Sequence, residues 1–218
     1  MFCLSGIITR VLIVFALVQS ALSLPGVVPP APAAPPALSP SDLTRLHRGE
    51  IVFKDQFLPA EGAPVGNGGT AVALLQADPE EVWRILTNFA HYAGLFPHLT
   101  ESEIMDQAGA RTLVRFRIAM GPFDFCFFVT HVVSWDDRQI RWRLDRSQTN
   151  DLFRDTWGYW QLDPVPGRRV LVTYAMGSRT VLPSFLTRDS ERKSVVKAVA
   201  ALKARVEWAR PRPEGDSS

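Results

Sequence analysis

The chain has 218 residues, 46% of them hydrophobic and 21% charged, a composition that lets a globular domain bury a core. Its 24 basic and 22 acidic side chains nearly balance, at a formal net charge of +2, which excludes the strongly basic class of nucleic-acid binders. Two cysteines, Cys3 and Cys126, supply neither a disulfide framework nor the spacing of a metal site.

Arg10 is the first charged side chain and Asp42 the next, and residues 11–22 between them are almost wholly apolar. That run is shorter than the ~20 apolar residues that span a membrane. It ends in Ala21-Leu22-Ser23, with small residues at the −3 and −1 places of a signal-peptidase site. Residues 1–23 are therefore expected to be a secretory signal, with an uncleaved anchor as the alternative. Either way the domain is exported. Cleavage would leave Cys126 alone, and an exported domain without a disulfide fits a bacterial periplasm or the extracellular space, tethered to the inner membrane if the anchor stays. Residues 24–40 are rich in proline and alanine, which disfavours helix and sheet and predicts an extended linker. The folded domain is predicted over residues 41–210.

Ser41-Asp42 is expected to cap a short helical turn, followed by a strand over residues 50–58. The glycine-rich run at 61–69 is expected to be a surface loop. It lacks the Gly-Lys-Ser/Thr ending of a phosphate loop and leads into a strand, Thr70 to Gln76. Asp78-Pro79-Glu80-Glu81 reads as a helix start: Asp78 accepts from free amides, Pro79 presets φ at the first position, and Glu81 sits at the third. Val82, Ile85, Leu86 and Phe89 then share one face, and Phe96-Pro97 closes a short helical hairpin.

Residues 101–176 alternate with the period of half-buried strands. Thr112, Val114, Phe116, Ile118 and Met120 oppose Leu113, Arg115, Arg117 and Ala119. Gly121-Pro122 turns the chain into a strand over 123–135, and Asp136-Asp137 into one over 139–146. Two more strands are predicted at 152–162 and 169–176. Short turns between successive strands predict an antiparallel meander. Arg141, Arg143, Asp145, Asp151, Arg154 and Asp155 are expected to form a solvated ladder of opposite charges. In the alternative, Arg143 or Asp155 turns inward to orient a polar group. The last element, residues 190–209, has no proline or glycine and carries Val195, Val199, Leu202 and Val206 on one stripe. Its length of roughly 30 Å crosses a whole sheet. Pro211 and Pro213 stop it, and 211–218 is expected to be a disordered tail.

Strand, short helical hairpin, antiparallel meander and long terminal helix make an α+β order that resembles the START-like helix-grip superfamily. Local wording is similar to its polyketide cyclase/dehydrase or coenzyme-Q-binding branch: ADPEEVWRILTNFAHYAGLFPHL from Ala77 to Leu99, GYWQL from Gly158 to Leu162, and Leu182-Pro183 before the last helix. The resemblance implies a curved sheet wrapped around the last helix, with a cavity between them for a lipid, quinone or polyketide-like molecule. Aromatic weight in the central strands supports the cavity, framed by small residues such as Ala200 and Ala201. The expected wall is Phe116, Ile118, Phe125, Phe127, His131, Trp142, Trp157, Tyr174, Val199 and Leu202. His131 shares a face with Phe125, Phe127, Val129 and Val133 and is the candidate acid–base or ligand-bonding group, with a structural histidine as its plainer reading.

No GxSxG or HExxH pattern is present, and no base lies near Cys126 in sequence. No metal and no cofactor are expected. The function expected is binding or carriage of an apolar small molecule, with transient membrane contact. The alternative is a cyclase/dehydratase acting in the same cavity. Oligomeric state stays open.

Overall fold

The computed structural model describes residues 36–55, 67–96, 98–181 and 184–208. The expected signal, most of the linker, most of the 61–69 run, Leu182-Pro183 and the tail lie outside them. In chain order the elements are α1 (Pro40–His47), β1 (Val52–Lys54), β2 (Asn67–Leu75), α2 (Pro79–Thr87), a 3₁₀ turn (Phe89–His91), β3 (Leu99–Ala108), β4 (Arg111–Met120), β5 (Phe123–Ser134), β6 (Gln139–Leu144), β7 (Phe153–Val165), β8 (Arg169–Thr180) and α3 (Ser184–Trp208).

The eight strands form one antiparallel sheet in the order β1-β2-β8-β7-β6-β5-β4-β3. The meander runs in sequence from β3 to β8, and β2 then pairs along β8 from Asn67↔Ser178 to Leu75↔Val170. α3 packs across β2 and β8. Val195, Val199, Leu202 and Val206 are buried there against Val170, Val172 and Leu162, which closes one layer of helix on one curved sheet. This is the helix-grip architecture.

Three local expectations change. The cap of α1 is Ser39, two residues earlier than Ser41. Its Oγ accepts from the Asp42 amide at 3.2 Å and the Asp42 carboxylate accepts from the Ser39 amide at 2.8 Å, a closed capping box. Lys54 of β1 donates to the same carboxylate, so α1 is tied to the sheet edge. The Lys54 and Ser39 hydrogen bonds hold the Asp42 carboxyl well below the usual carboxylate range.

Gly68 and Gly69, expected in a loop, lie inside β2. A Cβ at Gly68 would meet the Met176 carbonyl oxygen at 2.0 Å, and one at Gly69 the Phe53 ring at 2.3 Å. Close approach, and not a turn, requires these glycines. α3 begins at Ser184, six residues before the expected start, because residues 187–193 are mostly charged or polar and hide the apolar period.

At α2 the expectation stands: Asp78 Oδ1 accepts from the Glu80 amide at 3.0 Å, Pro79 is the first helical residue, and Val82, Trp83 and Leu86 are buried.

Candidate functional site

Register decides what the concave face presents. Thr112, His131, Trp142, Gly158 and Met176 stand directly opposite one another across β4, β5, β6, β7 and β8. Directly paired residues share a face, so this row faces α3 and the helical hairpin. The neighbouring row holds Val133, Ile140, Trp160 and Tyr174. Gly158 has no side chain because the Trp142 ring occupies its place: a Cβ there would lie 2.3 Å from Trp142 Cζ2. Trp142 therefore lies along the sheet and stacks on Tyr174, with centroids 5.4 Å apart and planes inclined by 21°. Tyr174 in turn sits 4.1 Å from Trp160, and Phe96 covers Trp160 at 6.0 Å.

Above this wall lies a cavity of about 200 Å³. Phe116, Ile118, Phe127, His131, Trp142 and Tyr174 of the expected set line it. Phe125, Trp157, Val199 and Leu202 do not. Phe125 shares the face but stands toward the β4–β5 hairpin, against Phe123. Trp157 is on the opposite face, opposite Arg143 and Gly177, because Thr156 and Gly158 take the concave positions of β7. Val199 and Leu202 are fully buried in the solid part of the core. Ala200 is exposed and Ala201 half-buried; the small residue at the cavity is Ala198.

The wall also contains residues that strand periodicity did not indicate. Tyr92, Phe96, His98 and Leu99 come from the helical hairpin and its exit, Ser194 and Lys197 from the middle of α3. Phe153 joins through a register shift between Phe153 and Asp155, which turns it to the concave face against Phe127 at 4.9 Å. The Tyr92 and Phe96 stretch was legible as part of the Ala77–Leu99 wording but only as a fold signature.

His131 is a buried polar group of this surface. It is 4% exposed and ringed by Phe89 (4.4 Å between centroids), Phe116 (5.9 Å), Tyr92 (6.3 Å) and Trp142 (6.4 Å). Burial pushes its imidazole down to about 3, opposed in part by the Val129 backbone, so the ring is neutral at physiological pH. Its Nδ1 has no hydrogen-bond partner among the described residues. Two other buried polar groups of the wall are used internally, Tyr92 donating to the Leu86 carbonyl at 2.5 Å and Thr156 to the Gly177 carbonyl at 3.2 Å, and the half-buried Tyr174 hydroxyl reaches the Met176 sulfur at 3.5 Å. Burial raises both tyrosines above their ordinary range, so they stay protonated.

A pH dependence follows. The unfolded chain protonates His131 near the ordinary 6.5 and the folded chain only near 3, so the unfolded state binds the extra proton between them. Stability contributed by this site is complete above 6.5 and falls with pH by up to about 1.4 kcal/mol per unit down to 3. Urea denaturation at pH 7 and pH 5 is expected to show this slope in the native chain and to lose most of it in His131→Gln.

The charged set on β6 and β7 is not a wholly solvated ladder. Asp155 has no exposed surface and is paired with Arg143 at 3.1 Å and with Arg146. It points away from the cavity, so it does not orient a group inside. Asp151 instead accepts from the Cys126 amide at 2.7 Å. Among the described residues, no group of three or more His, Cys, Asp or Glu is placed to hold a metal ion, and no described helix is long and apolar enough to cross a membrane.

Residues 75–203 match the family described as polyketide cyclase/dehydrase and lipid transport. The chain belongs to that family. No curated protein matches the chain. Solved structures with the same fold include the Zhui aromatase/cyclase from Streptomyces sp. R1128, at 16% identity and a TM-score of 0.53 over 63% of this chain and 92% of that one. A STAR-related lipid transfer protein from Xanthomonas axonopodis matches at 17% identity and a TM-score of 0.57, over 72% of this chain and 92% of that fragment. A START superfamily protein from Mycobacterium smegmatis matches at 16% and 0.56, over 65% and 97%. At these identities the likeness is one of fold, and it agrees with the polyketide cyclase/dehydrase and lipid transport assignment. The family's description covers both polyketide cyclase/dehydrase and lipid transport roles.

Proposed function

We propose that this protein binds and carries an apolar small molecule outside the cytoplasm. The observation that carries the reading is the cavity wall: stacked rings of Trp142, Tyr174 and Trp160 with Phe116 and Phe127, in which the buried hydroxyls are already bonded within the protein. Such a surface binds by excluding water. Export is supported by the apolar run and small-residue ending of residues 11–23.

Loading by transient membrane contact is supported at the β4–β5 hairpin. Met120 and Phe123 are exposed there, Phe123 by 64%, on the strands that carry Ile118 and Phe127 into the cavity. Apolar side chains at such a tip are suited to the bilayer interface.

The test is native mass spectrometry of the protein purified from cells expressing the full chain, with extraction and identification of what it holds. A co-purifying apolar molecule, exchanged on incubation with phospholipid vesicles, and a mature chain starting at Leu24 are the expected results. An empty protein that takes up nothing from vesicles would sink the carrier reading. A molecule released in chemically altered form would replace it with the cyclase/dehydratase reading.

A further inference from the structure

The end of the sheet at which the cavity opens carries apolar and cationic groups that the fold itself leaves unused. Because the strands are antiparallel, the β4–β5 hairpin, the β6–β7 connection and the end of β8 lie together at that end. Of the cavity lining, Ile118, Phe153 and Met176 are half-buried there and Ser194 and Lys197 are exposed, so the cavity opens between them. Apolar side chains stand on both sides of the opening. The β4–β5 tip holds exposed Met120 and Phe123 around Gly121, where nothing lies within 4 Å of the place of a Cβ, so the tip stands clear of the domain. On the β8 side, exposed Val181 is fixed by its amide, which donates to the Leu152 carbonyl at 2.9 Å.

Charge is the second, independent feature. Lys193 and Lys197, four residues apart, share one exposed face of α3. Arg154 near the start of β7 and Arg179 near the end of β8 are exposed as well. None of these four has an ion-pair partner among the described residues. The acidic groups of the same end are engaged: Asp55 with Arg192, Glu101 with Arg117, Asp155 with Arg143 and Arg146, Asp145 with Ser147, and Asp151 with the Cys126 amide. Asp124 adds one carboxylate, within reach of the Arg117 charge.

We infer that this end docks on a bilayer surface containing anionic phospholipids, with Met120, Phe123 and Val181 entering the interface and the four cations meeting phosphate headgroups. The apolar groups hold any bilayer, and the cations choose the surface, since each Lys or Arg near an anionic leaflet strengthens binding about fivefold. The cavity mouth then faces the lipid. The inference rests on the transient contact of the carrier reading and names its partner.

Co-sedimentation of the exported chain that starts at Leu24 compares vesicles of phosphatidylcholine alone with vesicles that also contain phosphatidylglycerol. Binding to the anionic vesicles is expected to be stronger by about tenfold or more, and added salt should shrink that preference by screening. Phe123→Ser should weaken binding to both vesicles about tenfold. Lys193→Gln with Arg179→Gln should weaken binding to the anionic vesicles alone, by about 25-fold for two cations. All three side chains are exposed, so the urea midpoints of these variants should match the native one. Equal binding to the two vesicles, or a Phe123→Ser chain that binds as tightly as the native one, would overturn the inference. Binding to polyglutamate but to neither vesicle would also overturn it and make the surface one for an acidic protein. A chain that binds neither vesicle but holds a co-purified apolar molecule would leave the carrier reading standing, and one that binds neither and holds nothing would overturn both.

Discussion

Gly158→Ala is expected to be among the most damaging single-methyl changes in this protein. The added Cβ would lie 2.2 Å from the Ala175 carbonyl oxygen and 2.3 Å from the Trp142 ring, and neither distance is tolerable. The backbone contact is to the neighbouring strand β8, so it is not relieved by a rotamer change. Either β7 and β8 separate locally or Trp142 leaves the wall. Overpacking of this kind typically costs about 1–3 kcal/mol, and a backbone clash places it at the upper end. The same change removes the flat surface shared by Trp142 and Tyr174, so ligand capacity should fall along with stability. Urea denaturation midpoints and uptake of an apolar molecule from phospholipid vesicles measure the two effects. Gly109→Ala, in a turn where nothing lies within 4 Å, is the control: its positive φ of 57° brings a conformational cost of about 1 kcal/mol but leaves the cavity alone. Equal losses of binding in the two variants would contradict the account.

The second large effect is expected at Asp155→Ala. Asp155 is fully buried on the convex face with Arg143 and Arg146 as its ion-pair partners. Removing one member of a buried pair strands the other and costs about 3–5 kcal/mol. Here the Arg146 side chain is 56% exposed and Arg143 19%, so the first can return to water more fully than the second. A loss near the lower end of that range follows. Because Asp155 borders the register shift that turns Phe153 inward, the change should also loosen the Phe153–Phe127 contact. Replacing the pair by apolar groups, Arg143→Met with Asp155→Leu, should recover much of the lost stability. Denaturation of the single and double variants checks this. A double variant no better than Asp155→Ala would show that the carboxylate acts through something other than the pair.

Much of the fold was written locally. Asp78-Pro79 sets its own helix start, alternation along residues 112–120 sets a strand face, and short turns after residues 120, 134 and 165 leave antiparallel neighbours as the simplest outcome. These signals depend on residues close together in the chain, so reading them needs no knowledge of the rest. The site was legible only where one strand face was unambiguous. Phe116 and Ile118 follow from the apolar–basic alternation of β4, and the short hairpin to β5 puts Phe127 and His131 on the same face, opposite Phe116 and Thr112.

On β7 both faces carry rings, Trp157 and Tyr159 on one and Trp160 on the other, and alternation could not choose between them. Pairing did: Gly158 opposite Trp142 places Trp160 at the cavity and sends Trp157 to the far side. Along α3 the apolar stripe identified what is buried but not where packing gives way to open space, which is set by the hairpin carrying Tyr92 and Phe96.

By itself, then, the sequence determined the elements, their order and the buried stripe of α3, because each is dictated by local period, caps and turns. Tertiary structure decided which rings face the cavity, that Asp155 is buried away from it, and that His131 is buried among the rings of Phe89, Phe116, Tyr92 and Trp142. Those are properties of cross-strand register and of groups distant in the chain, and no local pattern encodes them.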